Sequence, residues 1–195
     1  PPIPFTLNEL LSWEKFQLGY APDDPEWLHG FLRSKQYSED ILAKSGLFAK
    51  KHAMYPIFRN RLMFPIRDWQ GRVVAFGGRD LTGDSQAKYI NTPETMLYRK
   101  REIVYGLHES LPEIKRQDTC LLCEGYFDVI ALHQAGVEIA TAPLGTAFTT
   151  EQGKLVRRYA GKAMTLFDSD KAGQAATKKA LIVCESLGLE TRVIR

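Results

Sequence analysis

Cysteine is scarce: Cys120, Cys123 and Cys184 are the only three in 195 residues. An odd number cannot pair completely, and it argues against a disulfide-built secreted scaffold and for a reducing, cytoplasmic setting. Cys120 and Cys123 form C-x-x-C, but no second ligand pair follows. On an extended strand, residues three apart face opposite ways, so a zinc site is not expected and both read as structural. Histidine is equally thin: His29, His52, His108 and His133 are scattered, which fits packing or surface roles better than a ligand cluster. No apolar run approaches the length of a membrane span, and no charged-then-apolar leader is present, so no membrane partner is expected. Repeats and low-complexity tracts are also lacking. The opening "PPIPF", without Met, is what an excised fragment would show.

What remains is the composition of an ordinary soluble protein, 44% hydrophobic and 25% charged. The net charge of +3 hides an asymmetry. Residues 1–49 balance at −3 and residues 102–195 at −1, whereas residues 50–101 hold eleven Lys and Arg against four Asp and Glu, a balance of +7. A basic middle third points to an anionic partner such as phosphate or nucleic acid, or else to a solvated face.

The first segment reads as short helices. "TLNELLSWEKF" places Glu9 three residues after Thr6, a capping-box pattern. Pro25 sits where a helical first turn tolerates proline, and Ser38 opens a helix that Gly46 can close. "RLMFPIRDWQGRVVAFGGRD" (residues 61–80) predicts a hairpin turning at "DWQG". The stretch "LTGDSQAKYINTPETMLYRKR" shows no strong period and is expected to be a polar surface loop. From residue 118 strand-like and helix-like segments alternate: "TCLLCEG", "YFDVIALHQAG", "EIATA", "TTEQGKLVRRYAG", "KAMTLFD", "KAGQAATKKALIVCESLG", "LETRVIR". Thr149 and Gln152 form another capping box. Such alternation implies right-handed crossovers and a mostly parallel sheet.

In open parallel sheets, sites form outside the carboxyl ends of strands. Two strand ends here carry acids: Glu124 after "CLLC", and Asp168 and Asp170 after "MTLF". Asp and Ser at such a place commonly cap the next helix. If the two strands are neighbours, however, three carboxylates reach one edge of the sheet, a set that suits Mg²⁺ or Mn²⁺ and a phosphate-bearing substrate. Asp128, one turn beyond Glu124, either faces the same site or caps and solvates its helix.

These strings resemble a known family. "EGYFDVIAL", "PLGTAFT" and "FDSDKAGQAA" are similar to the Toprim core of bacterial DnaG-type DNA primases. "NRLMFPIRDWQGRVVAFGGRDL", "KYINTPET" and "YRKREIVYGL" resemble the basic subdomain that precedes that core. The resemblance implies an α/β fold (α+β overall), with a small helical and β basic subdomain over 1–117 and a Toprim sheet over 118–195. It implies a primase-type nucleotidyltransferase, a DNA-directed RNA polymerase that makes short RNA primers on single-stranded DNA from nucleoside triphosphates during replication. Its bacterial setting would be cytoplasmic, and its helicase partner would be engaged through a domain outside this stretch. Glu124, Asp168 and Asp170 would be catalytic and metal-binding, with Asp128 a further candidate ligand. Arg59, Arg61, Arg79, Lys88, Asn91 and Lys100 would hold nucleotide or template. Gly77 and Gly78 would admit a phosphate close to the backbone, and Tyr89 would either stack on a base or pack.

Two departures from the family pattern stand out. Ser169 occupies a position that is Gly in many relatives. A further acidic motif is expected after the strand that reaches Arg195, so the chain as it stands is expected to be weakly active or inactive. The competing readings are a non-catalytic module that binds single-stranded DNA and another Toprim phosphotransfer enzyme of the nuclease or topoisomerase kind.

Overall fold

The computed structural model describes residues 13–49, 52–83, 85–145 and 147–194. Thr6 and Glu9, the expected first capping box, lie outside the described residues. The chain forms two compact units: residues 18–65 with 74–99, and residues 1–17 with 66–73 and 100–195.

The first unit starts with β1 (Gly19–Ala21), α1 (Trp27–Ser34) and α2 (Glu39–Lys44). Pro25 falls just before α1 rather than inside its first turn. The reason is Asp24, whose Oδ1 accepts the N–H groups of Glu26 and Trp27 at 2.9 and 3.0 Å and so sets the helix start. Ser38 caps α2 as expected, its hydroxyl oxygen accepting the Ile41 N–H. Gly46 follows that helix at φ +74, where a Cβ would lie 2.8 Å from Thr92 Cγ2.

A small antiparallel pair, β2 (Phe48–Ala49) and β3 (His52–Pro56), leads to the predicted hairpin, β4 (Arg61–Arg67) and β5 (Val73–Asp80). The sheet order is β1-β4-β5-β6. Its last strand, β6 (Tyr89–Asn91), interrupts the stretch expected to be loop throughout. Three residues are too few to show a period in sequence. The strand is fixed instead by pairing with β5 and by reciprocal bonds between Thr92 and the Phe76 backbone, 2.8 to 3.1 Å long.

The second unit holds β7 (Val104–Tyr105), α3 (Leu107–Gln117), β8 (Thr119–Leu122), α4 (Tyr126–Gln134), β9 (Ala140–Pro143), α5 (Thr150–Arg157), β10 (Lys162–Thr165), α6 (Lys171–Ser186) and β11 (Glu190–Val193). Strand order is β11-β10-β8-β9-β7. The pairs β8–β9, β8–β10 and β10–β11 are parallel, and β7 runs antiparallel to β9. Strands β8 and β9 are buried along their whole length, as central parallel strands covered on both faces must be.

Gln152 ties α5 to the preceding chain. It is fully buried, and its Oε1 accepts the Thr149 N–H at 2.9 Å while its Nε2 donates to the Ile103 carbonyl at 2.7 Å. The predicted capping box is thus present and extended by a long-range bond.

A second buried polar group predicts a pH dependence. His133 is 5% exposed and packs edge-on against Phe16, with Nε2 at 3.0 Å from Ser110 Oγ and 3.2 Å from the Ala140 carbonyl. Its Nδ1 has no partner. Burial, and then the charge of Lys15, lower its pKa from 6.5 to about 4. Between those values the unfolded chain binds a proton that the folded protein refuses. Stability is therefore complete above pH 6.5, falls as the pH drops towards 4, and levels off below, a loss of roughly 3 kcal/mol. Urea unfolding of the protein and of His133→Gln across this range should differ in slope; parallel curves would exclude the effect.

Candidate active site

Strands β8 and β10 are adjacent and parallel, with Leu122 opposite Thr165. The ladder continues one residue further, since the Leu166 N–H donates to the Leu122 carbonyl at 2.8 Å. Both chains then leave the sheet at the same edge, and Glu124 Oε1 accepts the Asp168 N–H at 2.7 Å. Residues 44 apart in sequence are thereby joined.

The other two acids are committed to helix starts. Asp170 is the N-cap of α6, and its Oδ1 accepts the Gly173 N–H at 2.7 Å. Asp128 Oδ2 accepts the Gly125 N–H at 2.9 Å, closing the entry to α4. The sequence reads Asp170 as a metal ligand that can also cap its helix and leaves capping and ligation even for Asp128; the structure shows a cap at each. All four carboxylates are exposed to solvent. Among the described residues no group of three or more His, Cys, Asp and Glu is gathered in a form that could hold a metal ion.

Glu124 lies on the lining of two clefts. One, of about 350 Å³, is shared with Asp128, Phe167 and Asp168. The other, of about 390 Å³, runs past Phe148, Phe167 and Gly173 to Lys179. Beneath the edge, Cys120 and Cys123 are buried and unpaired. Burial pushes the Cys120 thiol up to about 12, so it stays protonated, and its Sγ lies 3.2 Å from Thr141 Oγ1. They are packing residues, as the sequence reading had it.

The predicted basic residues separate into distinct environments. In the first unit, Arg79 and Tyr89 stand opposite each other on β5 and β6, as do Gly77 and Asn91. The four therefore share one face of the sheet. The Arg79 guanidinium lies 5.7 Å from the Tyr89 ring centroid and donates to its hydroxyl at 3.3 Å. Arg59 is stacked on Tyr55 at 4.8 Å and donates from Nε to Asp23 Oδ1 at 2.7 Å.

Lys88 is exposed at the end of the loop that precedes β6. Arg61, by contrast, is only 6% exposed. Gly78 also departs from expectation: a Cβ there would lie 2.7 Å from Phe58 Cδ1 and 3.0 Å from Arg61 Cδ. The space it leaves is filled by protein side chains rather than left for a phosphate. In the second unit, Lys100 opens a short 3₁₀ turn and its carbonyl accepts from Gln152 Nε2 at 3.3 Å.

A mostly parallel sheet with acids on the carboxyl ends of two adjacent strands is the arrangement of a Toprim-type domain, and residues 121–195 match a Toprim-like family model. Residues 8–111 match the model of the DNA primase catalytic core, N-terminal domain. The chain belongs to the DNA primase catalytic-core family.

It is 48% identical to the DNA primase of Treponema pallidum over 183 residues, covering 94% of this chain and 30% of that protein. It is 45% identical to the DNA primase of Borreliella burgdorferi, covering 92% of this chain and 35% of that protein. The chain thus spans about a third of the length of these curated relatives. The crystal structure of the Aquifex aeolicus primase zinc-binding and RNA polymerase domains superposes with a TM-score of 0.87 at 37% identity, over 94% of this chain and 45% of that one. A DnaG primase catalytic domain solved with bound single-stranded DNA gives 0.82 at 34% identity, over 95% and 59%. Among the described residues, no helix is long and apolar enough to cross a membrane.

Proposed function

We propose that this chain is the catalytic core of a primase that joins ribonucleotides on a single-stranded DNA template by nucleotidyl transfer. The observation that carries the reading is the link between Glu124 and Asp168 at the ends of adjacent parallel strands, in a member of this family. In the reaction a 3′-hydroxyl attacks the α-phosphate of a nucleoside triphosphate and pyrophosphate leaves. The donor chemistry suits a hard divalent cation, although the carboxylates are not gathered around one point: all four groups are exposed carboxylates, and the hydrogen bonds of Glu124, Asp128 and Asp170 each use one oxygen.

Glu124, Asp168 and Asp170 would hold Mg²⁺ or Mn²⁺, with Asp128 as a further ligand. The bound ion would offset charge developing on the phosphates and lower the pKa of the attacking hydroxyl. Glu124 is held in place by the Asp168 N–H and is the candidate to accept the hydroxyl proton. Arg59, Arg79, Lys88, Asn91 and Lys100 would grip the triphosphate or the template backbone, Arg by paired hydrogen bonds and Lys as a point charge.

In domain terms, a basic subdomain over 1–117 serves a Toprim domain over 118–195. The relative solved with single-stranded DNA supports the template class. The setting would be the bacterial cytoplasm, with a replicative helicase engaged by other parts of the longer protein.

The test is primer synthesis on single-stranded DNA with Mg²⁺ or Mn²⁺, comparing this chain with one extended past Arg195. Metal-dependent ribonucleotide incorporation by either is the expected result. Tight DNA binding with no product from either would assign a non-catalytic binding module instead.

A further inference from the structure

Arg61 is at the sequence level one basic residue among several, yet its surroundings set it apart. Its guanidinium makes five hydrogen bonds within the protein. Nη1 donates to the carbonyls of Gly78, Ala87 and Lys88 at 3.3, 3.1 and 3.5 Å. Nη2 donates to Ser85 Oγ at 2.8 Å and to the Ala87 carbonyl at 3.1 Å. Carbonyls and a hydroxyl surround the planar fork, and only 6% of the residue is exposed. A guanidinium so engaged has few donors left for a phosphate.

The partners lie on two sides of the loop between β5 and β6. Gly78 belongs to β5, whereas Ser85, Ala87 and Lys88 form the return of the loop towards β6. The Lys88 carbonyl is held a second time, by the Asp80 N–H at 2.9 Å. Ser85 turns the same stretch, donating to the Ala87 carbonyl at 3.2 Å and accepting the Ala87 N–H at 3.3 Å. The absence of a side chain at Gly78 makes room for the Arg61 stem. A lysine could reach this place but could not supply four or five donors in one plane.

We infer that Arg61 is a positioning residue: it does not contact nucleotide or template, and it fixes the backbone of residues 85–88 so that the Lys88 side chain is presented to the anionic ligand. The inference rests on the proposed reading of Lys88 as a phosphate contact. Freezing the loop in advance removes an ordering cost that binding would otherwise carry.

A double-mutant cycle on single-stranded DNA binding, measured by fluorescence anisotropy over a salt series, tests it. Lys88→Ala is expected to weaken binding roughly tenfold and to flatten the salt slope by about 0.7, the value for one phosphate contact on a single strand. Arg61→Ala should produce the same two changes. The double variant should be no weaker than either single one, and Arg61→Lys should not restore binding. Amide exchange of residues 85–89 should rise in both Arg61 variants.

If the two effects multiply, with a double loss of slope, Arg61 touches phosphate itself; the inference then fails while the reading of Lys88 stands. Recovery of binding in Arg61→Lys would overturn it equally, because charge alone would then suffice. An inert Lys88→Ala would overturn both the inference and that reading. Should Arg61→Ala not fold, Ser85→Ala keeps Arg61 and its carbonyl contacts while removing the Arg61–Ser85 bond and the two Ser85–Ala87 bonds, and enters the same cycle. It should weaken binding two- to threefold in the wild type and not at all in Lys88→Ala; a loss that persists there overturns the inference.

Discussion

Replacing Glu124 with Gln is expected to lower metal-dependent ribonucleotide incorporation at least about a hundredfold and to leave the affinity for single-stranded DNA unchanged or slightly higher. Glu124 is the residue at which two strand ends meet, since its Oε1 accepts the Asp168 N–H. A Gln side-chain oxygen can accept that same bond, so the local geometry should survive the change. What is lost is the negative charge, and with it the ability to take a proton or to hold a divalent cation. Removing one carboxylate from an exposed acidic edge also reduces repulsion of the template phosphates, hence the direction for DNA.

The measurement pairs incorporation at saturating Mg²⁺ or Mn²⁺ with DNA anisotropy, in the chain extended past Arg195 if the shorter one makes no product. Full incorporation by Glu124→Gln would remove this residue from the chemistry. A fall in DNA affinity matching the fall in incorporation would show that the acid serves binding rather than catalysis.

How far the sequence carried can be judged residue by residue. The apolar runs of β8 and β9 were visible because strands covered on both faces need no polar alternation. The Thr149–Gln152 capping box was visible because it is local. Helix α3 was not anticipated: Pro112 lies inside it, and proline lacks the N–H that a helix interior uses. Its apolar face still packs through Leu107 and Ile114.

At the site, the meeting of Glu124 and Asp168 was legible as a condition, that their strands be neighbours, but not as a fact. Strand order is set by long-range packing that no local pattern encodes. For Asp128 and Asp170, capping and ligation use the same residue types at the same offsets, so only geometry could assign the bonds. Arg61 shows the same limit with charge. Basic residues read alike in sequence, and burial among carbonyls is what distinguishes one that builds a loop from one that meets a ligand.

Gly173→Ala should be among the most damaging small changes in the second unit, although helix propensity predicts the reverse. Gly173 occupies the first turn of α6, where exchanging Gly for Ala would ordinarily stabilise a helix by about 1 kcal/mol. Here the helix start folds back against the strand end. A Cβ on residue 173 would overlap the Asp168 carbonyl oxygen and lie 2.8 and 2.9 Å from the Asp168 carbonyl carbon and amide nitrogen. These are backbone atoms of the same turn that Asp170 closes by accepting the Gly173 N–H, so neither partner can swing aside as a side chain would. The conflict is expected to cost about 2–4 kcal/mol, read as a lowered urea midpoint. If the turn yields instead, the Asp168 amide moves away from Glu124 and incorporation falls while much of the stability remains. A variant with both the wild-type midpoint and wild-type incorporation would show that the close approach of Gly173 to Asp168 is not needed to build the site.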